Sequence, residues 1–197
     1  MSLLTLPTAF VPRTCQLEPV TNQRLAASPF AGSEQVTDLL NDYWRMTVSL
    51  PDSPQAWGAW REAFIASFRG QVNWVALHHF VRPQPVGTMR GTPTLSADHA
   101  QGAAALAITG GTAGGTLLAG DMLGVGGLLF MVQSDVTLDG SGAGSVPIVN
   151  RLRVAQSSGA LVTWDRPTAL FRLMSSSGVP YMPGMAGGPS FEFKEKI

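Results

Sequence analysis

Residues 43–70 read YWRMTVSLPDSPQAWGAWREAFIASFRG, and this stretch decides the fold. Its first part alternates strictly. Trp44, Met46, Val48 and Leu50 fall on one side, and Tyr43, Arg45, Thr47 and Ser49 fall on the other. A period of two predicts a strand with one face on a core and the other toward water or a partner. Pro51-Asp52 breaks the strand, and a helix is expected over 53–69. Ser53 or Asp52 can cap it, and Pro54 suits its first position, where a missing N–H costs nothing. Trp57, Trp60, Phe64 and Phe68 recur at spacings of three and four. They form one stripe, expected to pack the helix on a sheet and not to line a pocket. Gly70 suits a left-handed helix end.

Outward from this stretch almost everything reads as strand and turn. Upstream, residues 1–15 carry Pro7 and Pro12 and read as an extended arm with a short edge strand. A strand is expected around Leu17 and Val20. Residues 28–33, SPFAGS, are turn-rich, and Glu34 to Leu39 can form another strand. Downstream, QVNWVALHHFV over 71–81 favours a strand buried on most of both faces. Arg82 to Thr94 holds Pro83, Pro85, Gly87, Gly91 and Pro93 and reads as a connection.

Residues 95–165 are the richest in glycine. Strands are expected at 103–109, 116–118, 122–125, 128–138, 145–149 and 160–164. Tight turns fall at Gly120-Asp121, Gly126-Gly127 and Asp139-Gly140. A further strand spans Thr168 to Met174. The end, PSFEFKEKI, places Phe191, Phe193 and Ile197 on one face and Glu192, Lys194 and Lys196 on the other. The last two strands match the first part of the chain in texture, not the middle. The expected fold is therefore mainly β with one main α-helix. A discontinuous β-sandwich or split-barrel domain, residues 1–88 and 166–197, would carry residues 89–165 as an inserted small antiparallel β-barrel. Two sequential domains are the competing arrangement.

Composition bounds the function. With 197 residues the chain can bury roughly 70% of the surface its unfolded form exposes. Charged residues make up 13%, about half the usual share. A surface so short of charge suits burial in an assembly. Net charge is zero, which gives no basic footprint for nucleic acid. The lone Cys15 excludes a disulfide framework and points to a reducing compartment of synthesis. No apolar run is long enough for a transmembrane helix. The start, MSLLTLPTAF, lacks a basic region and is broken by Pro7, so no signal peptide is expected.

No catalytic, cofactor-binding or metal site is expected. His78 and His79 adjoin on an expected strand and would point to opposite faces, and His99 sits in a polar loop. Cys15 has no nucleophile motif around it. The runs Gly110-Gly111, Gly114-Gly115 and Gly124 to Gly127 lack the lysine and the following helix that a phosphate loop needs. Asp121, Asp135, Asp139 and Asp165 do not converge by spacing; Asp121 and Asp139 sit at turns and Asp135 within an expected strand. Trp164 and Tyr181 could stack on a sugar, though packing is the commoner role of such side chains.

Several segments in order resemble a family of tail proteins of tailed bacteriophages and prophages, the distal tail or baseplate-hub ring proteins. They are SPFAGSEQV (28–36), YWRMTVSLP (43–51), the Trp-rich helix closing in SFRGQVNWVALHH (67–79), Arg90-Gly91-Thr92-Pro93, Gly120-Asp121, Asp139-Gly140-Ser141-Gly142 and the strand Pro167 to Leu173. Phe68 stands where that family's pattern has leucine. The resemblance implies a virion structural protein, made in the host bacterial cytoplasm and located at the phage tail tip. It implies a ring of identical subunits, commonly a hexamer, joining the tail tube protein to hub and tail fibre proteins. It implies neither catalysis nor a cofactor, and no nucleic acid or membrane insertion is expected. The alternatives are a carbohydrate-binding module or adhesin, another ring protein of the tail or head–tail connector, and a hydrolase on a β scaffold. Residues 1–15 and 175–188 are the expected contacts to neighbouring subunits.

Overall fold

The computed structural model describes residues 1–27, 32–39 and 41–196. The turn expected at Ser28 to Ala31 and the terminal Ile197 lie outside the described residues. The fold is mainly β, with one α-helix.

In chain order the first strands are β1 (Leu3–Leu4), β2 (Thr14–Val20), β3 (Gln23–Ala27), β4 (Glu34–Asp38), β5 (Tyr43–Ser49) and β6 (Ser53–Pro54). A 3-10 turn, Gln55–Trp57, leads into helix α1 (Gly58–Ser67), and β7 (Trp74–Leu77) follows. The middle holds β8 (Gly91–Leu95), β9 (Ala105–Gly111), β10 (Thr116–Leu117), β11 (Met122–Val125), β12 (Leu128–Met131), β13 (Val136–Thr137), β14 (Gly144–Pro147) and β15 (Val162–Thr163). The chain closes with β16 (Ala169–Ser176), β17 (Tyr181–Met182), β18 (Met185–Ala186) and β19 (Ser190–Glu195).

One six-stranded sheet, in the order β1-β7-β16-β19-β5-β2, takes strands from both ends of the sequence. All its neighbours are antiparallel except β1 and β7. Its inner face is the alternation read from the sequence: Trp44, Met46, Val48 and Leu50 on β5 and just after it, Phe171 and Leu173 on β16, Phe191 and Phe193 on β19. Phe64 and Phe68 of the helical region cover that face, joined by Phe10, and Met122 and Leu129 of the middle strands reach the same cluster. Phe64 meets Phe68 edge-on with ring centres 5.0 Å apart, and Phe68 lies 5.9 Å from Phe193. Each buried Phe contributes roughly 1.5–3 kcal/mol by leaving water.

The strands β8 to β15 surround a second cluster that includes Leu106, Ile108, Leu123, Phe130 and Val146. They form two three-stranded sheets, β14-β9-β8 and β12-β11-β15, and the pair β10-β13. Single bridges, Thr94 to Leu161 and Val132 to Ile148, tie the two larger sheets together. Among the described residues no continuous ladder closes them into the expected barrel. Gly126 and Gly127 make the two-residue turn between β11 and β12, both with positive φ, at 57° and 78°. That geometry matches the right-handed twist of the flanking strands and excludes most side chains.

Several local expectations need correction. The helix does not start at residue 53. Ser53-Pro54 pairs with β18 as a short strand, and no side chain caps the helix at Trp57. Asp52 instead accepts the Gly188 N–H at 2.8 Å, which holds the 185–188 segment against the helix start. Gly70 does adopt the left-handed region, with φ 69°. The long strand expected at 128–138 is two strands, β12 and β13. The break falls where Gly120 donates to the Val132 carbonyl and Asp135 accepts the Ala119 N–H, so Asp135 caps a turn. The strand expected at 71–81 is confined to β7 and ends before His78. The connection over 82–94 already becomes β8 at Gly91. Residues 1–15 are not a free arm: β1 pairs with β7, Thr14 opens β2, and Phe10 is buried against Phe64 and Phe191. Deleting them removes part of the core, so a folded product is not expected.

Candidate functional site

Most of the candidate residues bind backbone groups of the fold. His78 and His79 follow the end of β7, so the alternation argument does not apply to them. His79 is buried, and its Nδ1 accepts the Arg82 N–H at 3.0 Å. Burial pushes its pKa below the ordinary histidine value, and the Arg82 charge adds to this. Burial also lowers His78, with Arg166 acting the same way and Asp165 against it, and its ring lies 4.8 Å from Phe80. His99 Nε2 accepts the Ala107 N–H at 3.0 Å. Among the described residues no group of three or more His, Cys, Asp or Glu could hold a metal ion.

The carboxylates are similarly occupied. Asp121 is buried and accepts three N–H groups, from Val86, Gly87 and Leu118, at 2.7, 3.1 and 2.8 Å. It pins the 82–90 connection to the Gly120 turn. Asp139 accepts from the Ser141 and Ala143 N–H groups and from the Ser141 hydroxyl, and these bonds hold its carboxyl below the ordinary value. Asp165 accepts from Gln84 at 3.1 Å. Asp121, Asp135 and Asp139 hold backbone turns and Asp165 holds the Gln84 side chain, so the four do not form one site. Cys15 lies on β2 opposite Val48, and burial raises its thiol, which leaves it little thiolate at neutral pH.

Between the sheet and the middle strands lies a polar clamp. The Arg153 guanidinium and the Glu195 carboxylate are 2.6 Å apart, and both side chains are buried. Glu195 also accepts the Trp44 N–H at 3.0 Å, and Arg153 donates to the Asp42 carbonyl at 2.9 Å. The Trp44 indole and the Asn150 amide both donate to the Leu129 carbonyl. Burial pushes the Glu195 carboxyl above its ordinary value, with Arg153 pulling the other way.

Three surfaces remain unaccounted for by internal packing. The first is the hairpin β3–β4. It forms a sheet of its own, and every residue of both strands is exposed. Leu25 and Val36 sit directly opposite each other, 59% and 58% exposed. Its base is tied down by Leu39 donating to the Asn22 carbonyl and by Arg151 with Asp38. The sequence offered the turn-rich 28–33 segment and the strand after it, but neither β3 as a strand separate from β2 nor the isolation of the pair.

The second surface is a groove of about 360 Å³ lined by Val11, Pro51, Pro54, Trp57 and Arg61, among others. Trp57 is 52% exposed, so the expectation that the whole stripe packs inward and lines no pocket fails at its first member. The cause is the late helix start. Trp57 lies in the 3-10 turn, before the helical spacing that turns Phe64 and Phe68 to the sheet. Tyr181, Met182 and Met185 add exposed apolar surface on the β17–β18 hairpin, which pairs with β6 beside the groove. Tyr181 packs against the helix start; a Cβ at Gly58 would come within 2.5 Å of its side chain. Trp164 elsewhere is partly buried, its indole donating to the Gly91 carbonyl at 2.9 Å.

The third surface is the outer face of the six-stranded sheet. Trp74, Arg172, Lys194, Arg45 and Glu18 stand in one row across five strands, each in register with the next. The alternation of β19 placed Lys194 and Lys196 outward from sequence alone. Their alignment with Arg172 and Arg45 depends on strand order, which the sequence does not display.

Compared with known proteins, this chain matches no protein-family model, and no curated protein matches it closely enough to count as a relative.

Proposed function

We propose that the chain is a structural subunit of a phage tail tip, assembling with copies of itself into a ring that joins tail tube to hub and fibres. The observation that carries the assembly reading is the β3–β4 hairpin. An isolated two-stranded hairpin is marginally stable in water, and both of its edges are open to pairing. Its exposed Leu25 and Val36 gain by burial in a neighbour. The groove beside Trp57 offers an apolar seat on a different part of the same chain. Knob and seat on separate surfaces make a heterologous contact, which closes into a ring when the rotation allows. The shortage of charge across the sequence points the same way. Placement in a phage tail rests on the sequence resemblance.

Mass photometry of the intact chain at physiological salt tests this. A ring-sized species is expected, and removal of residues 23–38 is expected to return it to monomer. A monomer at all concentrations tested overturns the proposal. A ring unchanged by the deletion removes the hairpin from it.

A glycan-binding reading has one feature in its favour, the indole of Trp164 fixed by its bond to Gly91 beside the exposed Leu161. Against it, the Arg90 guanidinium already lies 5.0 Å from that ring's centre. Glycan-array binding lost on Trp164→Ala would support it.

A further inference from the structure

We infer that the outer face of the six-stranded sheet binds an extended acidic segment of a partner protein, held by Arg172, Lys194 and Lys196 with Arg45 beside them. The inference does not depend on ring formation.

The starting point is an arrangement that costs stability. Arg172 stands directly opposite Lys194 on β16 and β19, and Lys194 directly opposite Arg45 on β5. Like charges facing each other across a ladder destabilise a sheet. A sheet face chosen for stability alone would alternate signs there. Compensation is present at one end only. Arg45 pairs with Glu18 at 3.6 Å and with Glu192 at 3.5 Å. None of the ion pairs among the described residues involves Arg172, Lys194 or Lys196. Glu195, next in sequence to both lysines, turns its carboxylate inward to Arg153.

The cations are held in place by aromatic faces instead. Arg172 lies 3.8 Å from the ring centre of Trp74 and Lys196 lies 4.7 Å from it. Lys194 lies 4.2 Å from the ring centre of Tyr43. A π face orients a cation without neutralising it, so the donors stay available for an anion. The Arg172 Nε is buried and has no hydrogen-bond partner among the described residues. An unpaired buried donor of that kind costs free energy, a further sign that this face is not arranged for the stability of the chain alone.

The shape matches. A depression of about 250 Å³ lies among Gln71, Arg172, Met174, Lys194, Glu195 and Lys196, with the Glu195 carboxylate paired inward to Arg153. It is half-open to solvent, so a strip of chain can lie along it. Adjacent strands are about 4.8 Å apart, so the row Arg172–Lys194–Arg45 spans about 10 Å. An extended peptide places side chains of one face about 6.6–7 Å apart, so two or three carboxylates on alternate residues reach this row. Charge complementarity chooses the occupant. A chain of zero net charge with one concentrated cationic strip discriminates by local sign, not by bulk attraction.

The test uses the full chain and a fluorescein-labelled peptide of alternating glutamate and serine, followed by anisotropy at low ionic strength. Binding is expected, weakening as salt rises. The same peptide with glutamine for glutamate is expected not to bind. Lys194→Glu together with Lys196→Glu is expected to lower affinity at least tenfold. Lys194→Glu alone puts a carboxylate between two arginines, and its melting temperature is expected to rise by roughly 1–3 °C. That rise, together with lost binding, would mark a face kept cationic at a cost to stability. If Lys194→Glu fails to fold, Lys196→Glu, just past the end of β19, carries the binding test. No binding of the glutamate peptide, equal binding of its glutamine form, affinity unchanged in the variants, or tighter binding of a single-stranded oligothymidylate would each overturn the inference.

Discussion

Phe193 and Lys194 are neighbours on β19, one on each face of the same sheet. Phe193 is fully buried, its ring 5.9 Å from Phe68 and stacked on Phe191 at 5.8 Å. Lys194 stands on the other side between Arg172 and Arg45. The inner face finds every partner it needs within this chain. The outer face does not, and the same holds for the β3–β4 hairpin and the groove at Trp57. Surfaces that are finished internally explain the fold, and those left unfinished point to function.

The contrast breaks first at Phe193. Phe193→Ala is expected to cost about 3–5 kcal/mol in denaturant unfolding, while Lys194→Ala changes stability by less than about 1 kcal/mol. Similar costs at the two positions would mean that the outer face is also packed. The clamp between the sheet and the middle strands comes next. Arg153→Ala or Glu195→Ala alone leaves a buried charge without its partner, an expected loss of about 3–5 kcal/mol. The double variant is expected to lose clearly less than the two singles added, because neither charge is then stranded. Additive losses would show that the pair, 2.6 Å apart in the structure, is not coupled in solution.

The inner face was legible in the sequence because burial imposes a period of two on each strand separately. Trp44, Met46, Val48 and Leu50 need no knowledge of their neighbours to be recognised. The cationic row was not legible. Arg45, Arg172 and Lys194 are far apart in sequence, and only the order β16-β19-β5 aligns them. The helix stripe failed at Trp57 for a local reason: Ser53-Pro54 was claimed by a strand pairing with residues 185–186, a contact across the chain that no helix signal announces. Capping chemistry at Asp52 was real but served the Gly188 N–H instead of a helix end. Asp121 and Asp139 read correctly as turn residues, since each accepts an N–H two to four residues away; the further bonds of Asp121 to Val86 and Gly87 cross the fold and had no local signal. Asp135 did not, because the strand it was assigned to is broken by a contact with Gly120.

A pH titration sharpens the same division at His79, an inward group that titrates. Its folded pKa lies below the ordinary value of 6.5, so it contributes stability that is present above about pH 6.5 and lost as pH falls through the folded value. Protonation removes the Nδ1 lone pair that accepts the Arg82 N–H. His79→Asn keeps an acceptor near that position and removes the titration. The acid limb of a stability–pH curve between about pH 7 and 5 is expected to flatten in this variant, with His78 supplying the slope that remains. An unchanged acid limb would assign it to other groups.

The smallest effect on folding is expected at Trp57. Trp57→Ala leaves the helix face at Phe64 and Phe68 intact and removes a side chain already 52% exposed, so the loss should stay below about 1 kcal/mol. Trp60, on the next turn, is partly buried against the main cluster, and its truncation is expected to cost more. A tryptophan that contributes little to the monomer still offers a large rigid apolar surface to a neighbour. The two readouts therefore separate: unfolding of Trp57→Ala close to the parent, with assembly in mass photometry sharply reduced. If both fall together, the groove is part of the core. If neither falls, Trp57 faces water, and the seat proposed for Leu25 and Val36 must lie elsewhere on the chain.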